Sequence, residues 1–190
     1  MDHLELLDRA TRWFTQLVDT ATADQWELPT PCDEWNAGDL VDHVIGGNWF
    51  TTAILNGARA EDALKTARAR FSDADDRKAL ARASFIEQTG DFARPGSLEQ
   101  ICHHEIGDIP GSVVLGLRLM DVTIHGWDLA RSLGADETIP ADVVAAVWVI
   151  VSEDLHAIAA SGAFGPGPSP TLLDDADLQT RLLDATGRRP

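Results

Sequence analysis

The sequence predicts an all-α protein, a four-helix bundle with at least one crossover connection and a short C-terminal appendage. Three observations lead there. Apolar residues recur at intervals of three and four over several long stretches, which is the period of an amphipathic helix. Cap and stop residues stand at the ends of those stretches. The connectors between the four longest are unequal, as a crossover requires. At 190 residues the chain is long enough for one full hydrophobic core. The expected division is 1–165 for the bundle and 166–190 for a tail whose short helix packs on it.

Leu4, Leu7, Ala10, Thr11, Phe14, Leu17 and Val18 repeat at helical spacing and give a first helix of about five turns. A connector follows, Pro29-Thr30-Pro31-Cys32-Asp33-Glu34-Trp35, where each proline disfavours helix at the residue before it. Asn36 caps a second helix to about residue 55, with Asn56-Gly57 as its stop. Inside it, Gly46-Gly47 costs about 1 kcal/mol per residue against alanine, so the pair points to room made for a neighbouring helix or a ligand. A third helix begins near Ser72, with Ser72 and Asp75 as a variant capping box, and closes at Gly90. Its apolar positions include Ala79, Leu80, Ala83 and Ile86.

Residues 98–111 are less helical in character. Gly107-Asp108 and Pro110-Gly111 are turn pairs, and the stretch reads as an irregular connector with a short extended pair. Ser112 caps a long apolar helix over 113–133, stopped by Gly134. Pro140 opens another helix through about residue 160. Residues 162–170 form a Gly/Pro-rich linker, and 174–185 make one more short helix before Gly187.

The net charge of -16 argues against nucleic acid phosphates and anionic membrane surfaces as partners. Two cysteines make no disulfide framework. Acidic residues interrupt the N-terminus at once, and no apolar core of a signal peptide follows. Even the apolar run 143–151 is too short to span a membrane. The expectation is a cytoplasmic protein, monomer or homodimer, with small-molecule partners.

The residues that carry chemistry lie on the second and fourth of the long helices. Asp121 and His125 are four apart, so they project from one helical face. Val113, Val114, Leu115, Leu117, Leu119, Met120, Val122 and Ile124 make that helix apolar nearly all round, hence central and buried. A buried carboxylate needs a positive partner. A divalent metal shared by His43, Asp121 and His125 would supply one and leave coordination positions open. The bland alternatives are an intrahelical hydrogen-bonded pair and a satisfied core histidine, and spacing alone favours them.

Other candidates are weaker. His103 and His104 are adjacent and point apart in any regular element. His156 after Glu153 reads as a solvated pair, and His3 lies at a frayed terminus. Nothing places Cys32 or Cys102 near the histidines, and no base stands beside Cys32 in sequence. The six tryptophans read as core and loop anchors. There is no phosphate-binding glycine loop, and Gly111-Ser112 lacks the nucleophile-elbow pattern.

The segment Pro29 through Trp35, followed by Asp39-Leu40-Val41-Asp42-His43-Val44, resembles the opening signature of the mycothiol-dependent maleylpyruvate isomerase N-terminal domain family. His125-Gly126-Trp127-Asp128-Leu129-Ala130-Arg131 resembles its second signature. The closing Arg181-Leu182-Leu183 and Gly187-Arg188-Arg189-Pro190 are similar to the tail of actinobacterial members. The resemblance spans nearly the whole chain and implies a DinB-like bundle holding one divalent metal. Zinc is the first choice, with nickel and iron as alternatives, on His43, Asp121 and His125. Mycothiol is the implied thiol cosubstrate, with a small electrophile as its partner.

Two departures bear on activity. The family's isomerases place Glu where this chain has Asp121, and they carry a second C-terminal domain that this chain is too short to include. Isomerase activity is therefore not carried over. The implied function is a metal-dependent thiol transferase or related mycothiol-utilising enzyme, with no catalytic residue beyond the metal ligands. The alternative is a non-catalytic small-molecule-binding or protein-interaction module on the same bundle. Asp42, Asp128 and Arg131 support either the ligands or the helix packing, and packing is the weightier reading.

Overall fold

The structure is a computed structural model that describes residues 2–71, 76–153, 155, 164–165, 167–170, 172 and 175–190. Helix α1 spans His3–Thr20 and a 3-10 turn covers Ala23–Glu27. Helices α2 (Ala37–Leu55), α3 (Ala60–Arg68) and α4 (Arg77–Phe92) follow. Strands β1 (Ile101–His104) and β2 (Gly107–Pro110) come next, then α5 (Gly111–Leu133), α6 (Ala141–Glu153) and α7 (Leu178–Ala185).

Helix α2 packs on α4 and α5, and α1 packs on the same two. The consecutive pairs α1/α2 and α4/α5 thus stand across the diagonals of a four-helix ring. The proline loop makes one crossover and the hairpin region the other. Helix α3 lies on α2, while α6 packs on α1, α5 and α7. Phe14, Leu40, Ile45, Leu119, Ile124 and Trp127 are fully buried at the centre. Leu182 and Leu183 of α7 belong to the same core, so the tail joins the bundle through its apolar face.

The helix ends follow local chemistry. Asn36 accepts from the Asp39 amide at 2.8 Å, and the Asp39 carboxylate accepts from the Asn36 amide at 3.2 Å, a reciprocal capping box that starts α2. Gly134 closes α5 in the left-handed region with φ 64°. The start of α5 differs from expectation: Ser112 lies inside its first turn, and Pro110 occupies the cap without a side-chain bond. The preceding chain does the work of a cap, since Gly111 N–H donates to Gln100 O at 2.9 Å and Ser112 N–H to Leu98 O at 2.8 Å. Backbone passes so close that a Cβ on Gly111 would sit 2.0 Å from Ser97 O.

Other boundaries also moved. The Ser72/Asp75 capping box lies outside the described residues; the described cap of α4 is Asp76, which accepts from Lys78 and Ala79 amides. Gly90 does not end α4, which runs on to Phe92. The expected continuation of α6 towards residue 160, His156 included, also lies outside the described residues, and α7 begins at Leu178. Helix α3 was not expected. Its buried face consists only of Ala63 and Ala67, too small to register as an apolar stripe. The extended pair near 101–110 is a hairpin with Cys102 opposite Ile109.

Candidate metal centre

The packing of α2 on α5 brings His43 to Asp121 and His125. His43 Nε2 lies 3.3 Å from Asp121 Oδ1, and His125 Nε2 lies 3.6 Å from the same oxygen. The two imidazole centres are 5.0 Å apart, and the three ligand atoms all fall within 4.8 Å of one another. Donors bound tetrahedrally at zinc distances stand roughly 3.3–3.4 Å apart, so the donor set fits a divalent ion. The Trp35 indole lies against His43 at 4.5 Å between ring centres and 5.7 Å from the His125 ring. His125 is buried, Asp121 partly so, and the His43 side chain is 38% exposed, which leaves one side of the group open to solvent.

Asp121 is also held by a residue that the sequence reading passed over. Arg118, one turn earlier on α5, donates from Nη1 to Asp121 Oδ2 at 2.9 Å. Its other donors reach Gln88 Oε1 at 3.0 Å, Asn48 Oδ1 at 2.8 Å and Val44 O at 3.3 Å. The space for this guanidinium comes from Gly47, where a Cβ would stand 2.4 Å from Arg118 Nη1. Gly46 has no such role; a Cβ there would meet only the Phe71 ring at 3.7 Å. Burial pushes the Asp121 carboxyl up, but Arg118, His125 and His43 outweigh it and hold the group well below the usual carboxylate range. The premise that Asp121 needs a metal for charge balance is therefore corrected. Arg118 supplies that charge, and the fit to an ion rests on the remaining oxygen, Oδ1, and the two imidazoles.

The far side of His125 is built differently. Its Nδ1 donates to Asp128 Oδ2 at 3.0 Å. A neutral imidazole that donates from Nδ1 carries its lone pair on Nε2, the atom facing Asp121 and His43. Asp128 is fully buried and is clamped by Arg188, Nε to Oδ1 at 3.0 Å and Nη2 to Oδ2 at 2.5 Å. Burial pushes Asp128 up, and the bonds from His125 and Arg188 bring it below its ordinary value. Burial lowers Arg188, but Asp128, together with Cys32 and Asp121, leaves it raised above its ordinary value.

Cys32 does come near the histidines, contrary to the sequence reading. Its Sγ is 4.0 Å from His125 Nδ1, 3.4 Å from Asp128 Oδ2 and 3.4 Å from Arg188 Nη2. Burial and the Asp128 charge, against the pull of Arg188, push this thiol up to about 12. Cys32, His125 and Asp128 form a second group with metal-ligand spacing. Arg188 already takes both Asp128 oxygens there, so that group is charge-balanced without an ion. Cys102 is buried in β1 and belongs to neither group. His103 pairs with Asp108 across the hairpin at 2.7 Å, whereas the His104 ring turns edge-on to Phe50.

The three supporting candidates separate. Asp128 orients His125. Asp42 forms a two-point pair with Arg77, both bonds 2.8 Å, and Arg131 pairs with Glu137 while lying over the Trp127 ring at 4.2 Å. Those two serve packing. A cavity of about 1030 Å³ opens beside His125, with Cys32, Trp35, Trp127, Phe164 and Arg188 on its walls. Trp127 Nε1 and Ser132 Oγ, on two residues that line it, are buried without a protein hydrogen-bond partner.

Comparison with known proteins identifies the family and the fold. The sequence model of the family described as mycothiol maleylpyruvate isomerase N-terminal domain matches residues 7–130. Uncharacterized proteins Rv0738 and MT0763, from two strains of Mycobacterium tuberculosis, are each 37% identical over 139 residues, which is 70% of this chain and 69% of theirs. The crystal structure of the mycothiol-dependent maleylpyruvate isomerase superposes with a TM-score of 0.65 at 16% identity, covering 86% of this chain and 72% of that one. A histidine-to-alanine variant of the isomerase also gives 0.65, at 15% identity. At such identities the likeness is one of fold.

Proposed function

Since the chain belongs to the mycothiol maleylpyruvate isomerase N-terminal domain family and shares its all-α, DinB-like bundle, we propose that it is a metal-dependent enzyme that uses a low-molecular-weight thiol as nucleophile. Mycothiol is the thiol that the family points to, and the reaction is transfer to, or thiol-assisted rearrangement of, a small electrophile. The observation that carries this reading is the convergence of His43, Asp121 and His125 within 4.8 Å, with His125 also on the wall of a ligand-sized cavity. Bound there by these three residues, a divalent ion (zinc first, nickel or iron as alternatives) supplies a Lewis-acid centre that lowers the pKa of a thiol.

The chain's own residues do the rest. Asp128 holds the Nδ1 proton of His125 and so keeps the Nε2 lone pair directed at the group. Arg118 keeps Asp121 ionised while leaving Oδ1 free. Trp35 packs against one side of the His43 ring and restrains it. The cavity offers aromatic walls to a substrate.

Protein prepared without a polyhistidine tag is expected to take up about one equivalent of zinc, lost in His43→Ala. Mycothiol binding by calorimetry is expected to weaken once the metal is removed. A wild-type protein that takes up no zinc sinks the metal reading; equal mycothiol binding with and without metal sinks the thiol part. One observation favours a second reading, a non-catalytic module on the same bundle: Arg118 already balances Asp121, so the fold requires no ion. A stable protein that takes up no zinc supports that reading.

A further inference from the structure

Asp128 is fully buried, and its neutralising cation comes from sixty positions along the chain, beyond the segment 7–130 that matches the family. The delivery of that cation is built into the backbone. After α7, Gly187 N–H donates to Asp184 O at 3.0 Å and Arg188 N–H to Leu183 O at 2.9 Å, while Gly187 adopts φ 80°. These paired bonds and the left-handed glycine make a Schellman turn, which reverses the chain at the end of a helix. Leu182 and Leu183 fix that helix in the core. Arg188 is thus aimed inward by a turn whose base is rigid.

The guanidinium is itself over-determined. Nη1 donates to Thr186 O at 2.8 Å and to Phe164 O, while the other two nitrogens take both oxygens of Asp128. The Phe164 ring, 5.7 Å from the Arg188 guanidinium carbon, stacks on the His125 ring at 6.1 Å between centres. Phe164 and Arg188 therefore close over one face of His125 and fix the carboxylate that holds its proton.

We propose that Arg188 is a positioning residue of the metal centre: by clamping Asp128 it sets the orientation of the His125 ring and directs Nε2 at the site shared with Asp121 and His43. This rests on the reading of His125 as a ligand. Removing a group that orients a metal-binding histidine typically weakens the metal by ten- to a hundredfold. A merely structural arginine would lower stability and leave the affinity of the folded protein unchanged.

The test is zinc affinity of the full chain, by competition with a chromophoric chelator, together with the visible absorption of the cobalt(II) form. Arg188→Gln is expected to weaken zinc about ten- to a hundredfold and to shift the cobalt bands. Arg188→Lys is expected to recover part of the loss, because it restores the charge without the two-point clamp. The double variant Asp128→Asn/Arg188→Gln removes both buried charges together and keeps the measurement possible should Arg188→Gln alone fail to fold. Zinc affinity within about threefold of wild type in either folded variant overturns the proposal. A wild-type chain that binds neither ion fails earlier, at the reading of His125 as a ligand.

Discussion

Asp121 and Asp128 flank His125 on one helix, four residues before it and three after, and each is paired with an arginine. Asp121 takes its arginine from the same helix and only through Oδ2, so Oδ1 faces the two imidazoles. Asp128 takes its arginine from the far end of the chain and through both oxygens. One carboxylate keeps a free lone pair at a partly open position; the other is saturated and sealed. The same residue type thus serves as a candidate ligand in one place and as a brace in the other. What separates them is the number of acceptor sites left unused and the degree of burial, since charge balance is common to both.

That contrast can be broken by mutation. The largest effect is expected at Arg188→Ala, which strands a fully buried carboxylate and should cost about 3–5 kcal/mol in urea unfolding at neutral pH. Arg118→Ala should cost less, roughly 2–3 kcal/mol, because Asp121 retains solvent and two imidazoles. If Arg118→Ala proves the more damaging, the distinction between sealed and open carboxylates fails. Gly47→Ala should destabilise by about 1–2 kcal/mol, since the new methyl displaces the Arg118 guanidinium. Gly46→Ala should stabilise by up to about 1 kcal/mol through helix propensity, so thermal melts of the two should shift in opposite directions. The smallest change is expected for Cys32→Ser: zinc affinity within about threefold of wild type, because the thiol is a protonated neighbour of the brace. A large loss of zinc in that variant would move the site to the Cys32, His125 and Asp128 group.

The five long helices were legible because their apolar residues recur every three or four positions over many turns, and His43, Asp121 and His125 were legible because they interrupt such stretches. Helix α3 escaped because alanines alone bury its inner face. The two arginines escaped for opposite reasons. Arg118 was in plain view, a cation three residues before an acid within the apolar run 113–122, and that spacing was a usable signal for a buried pair. Arg188 carried no signal of spacing, because its partner lies sixty residues away. Cys32 was missed in the same way, since its neighbours are 93, 96 and 156 positions distant. Contacts within a helix can be inferred from periodicity; contacts made by a crossover loop or a terminal turn depend on the finished packing.

The Schellman turn that carries Arg188 has a consequence for the order of biosynthesis. A nascent polypeptide can collapse its helices as they leave the ribosome, but the guanidinium that neutralises Asp128 emerges sixty residues after it. Until then a bundle already made from residues 7–130 holds an uncompensated acid at its centre, so a recombinant fragment cut at the family boundary would lack the counter-charge that its interior requires.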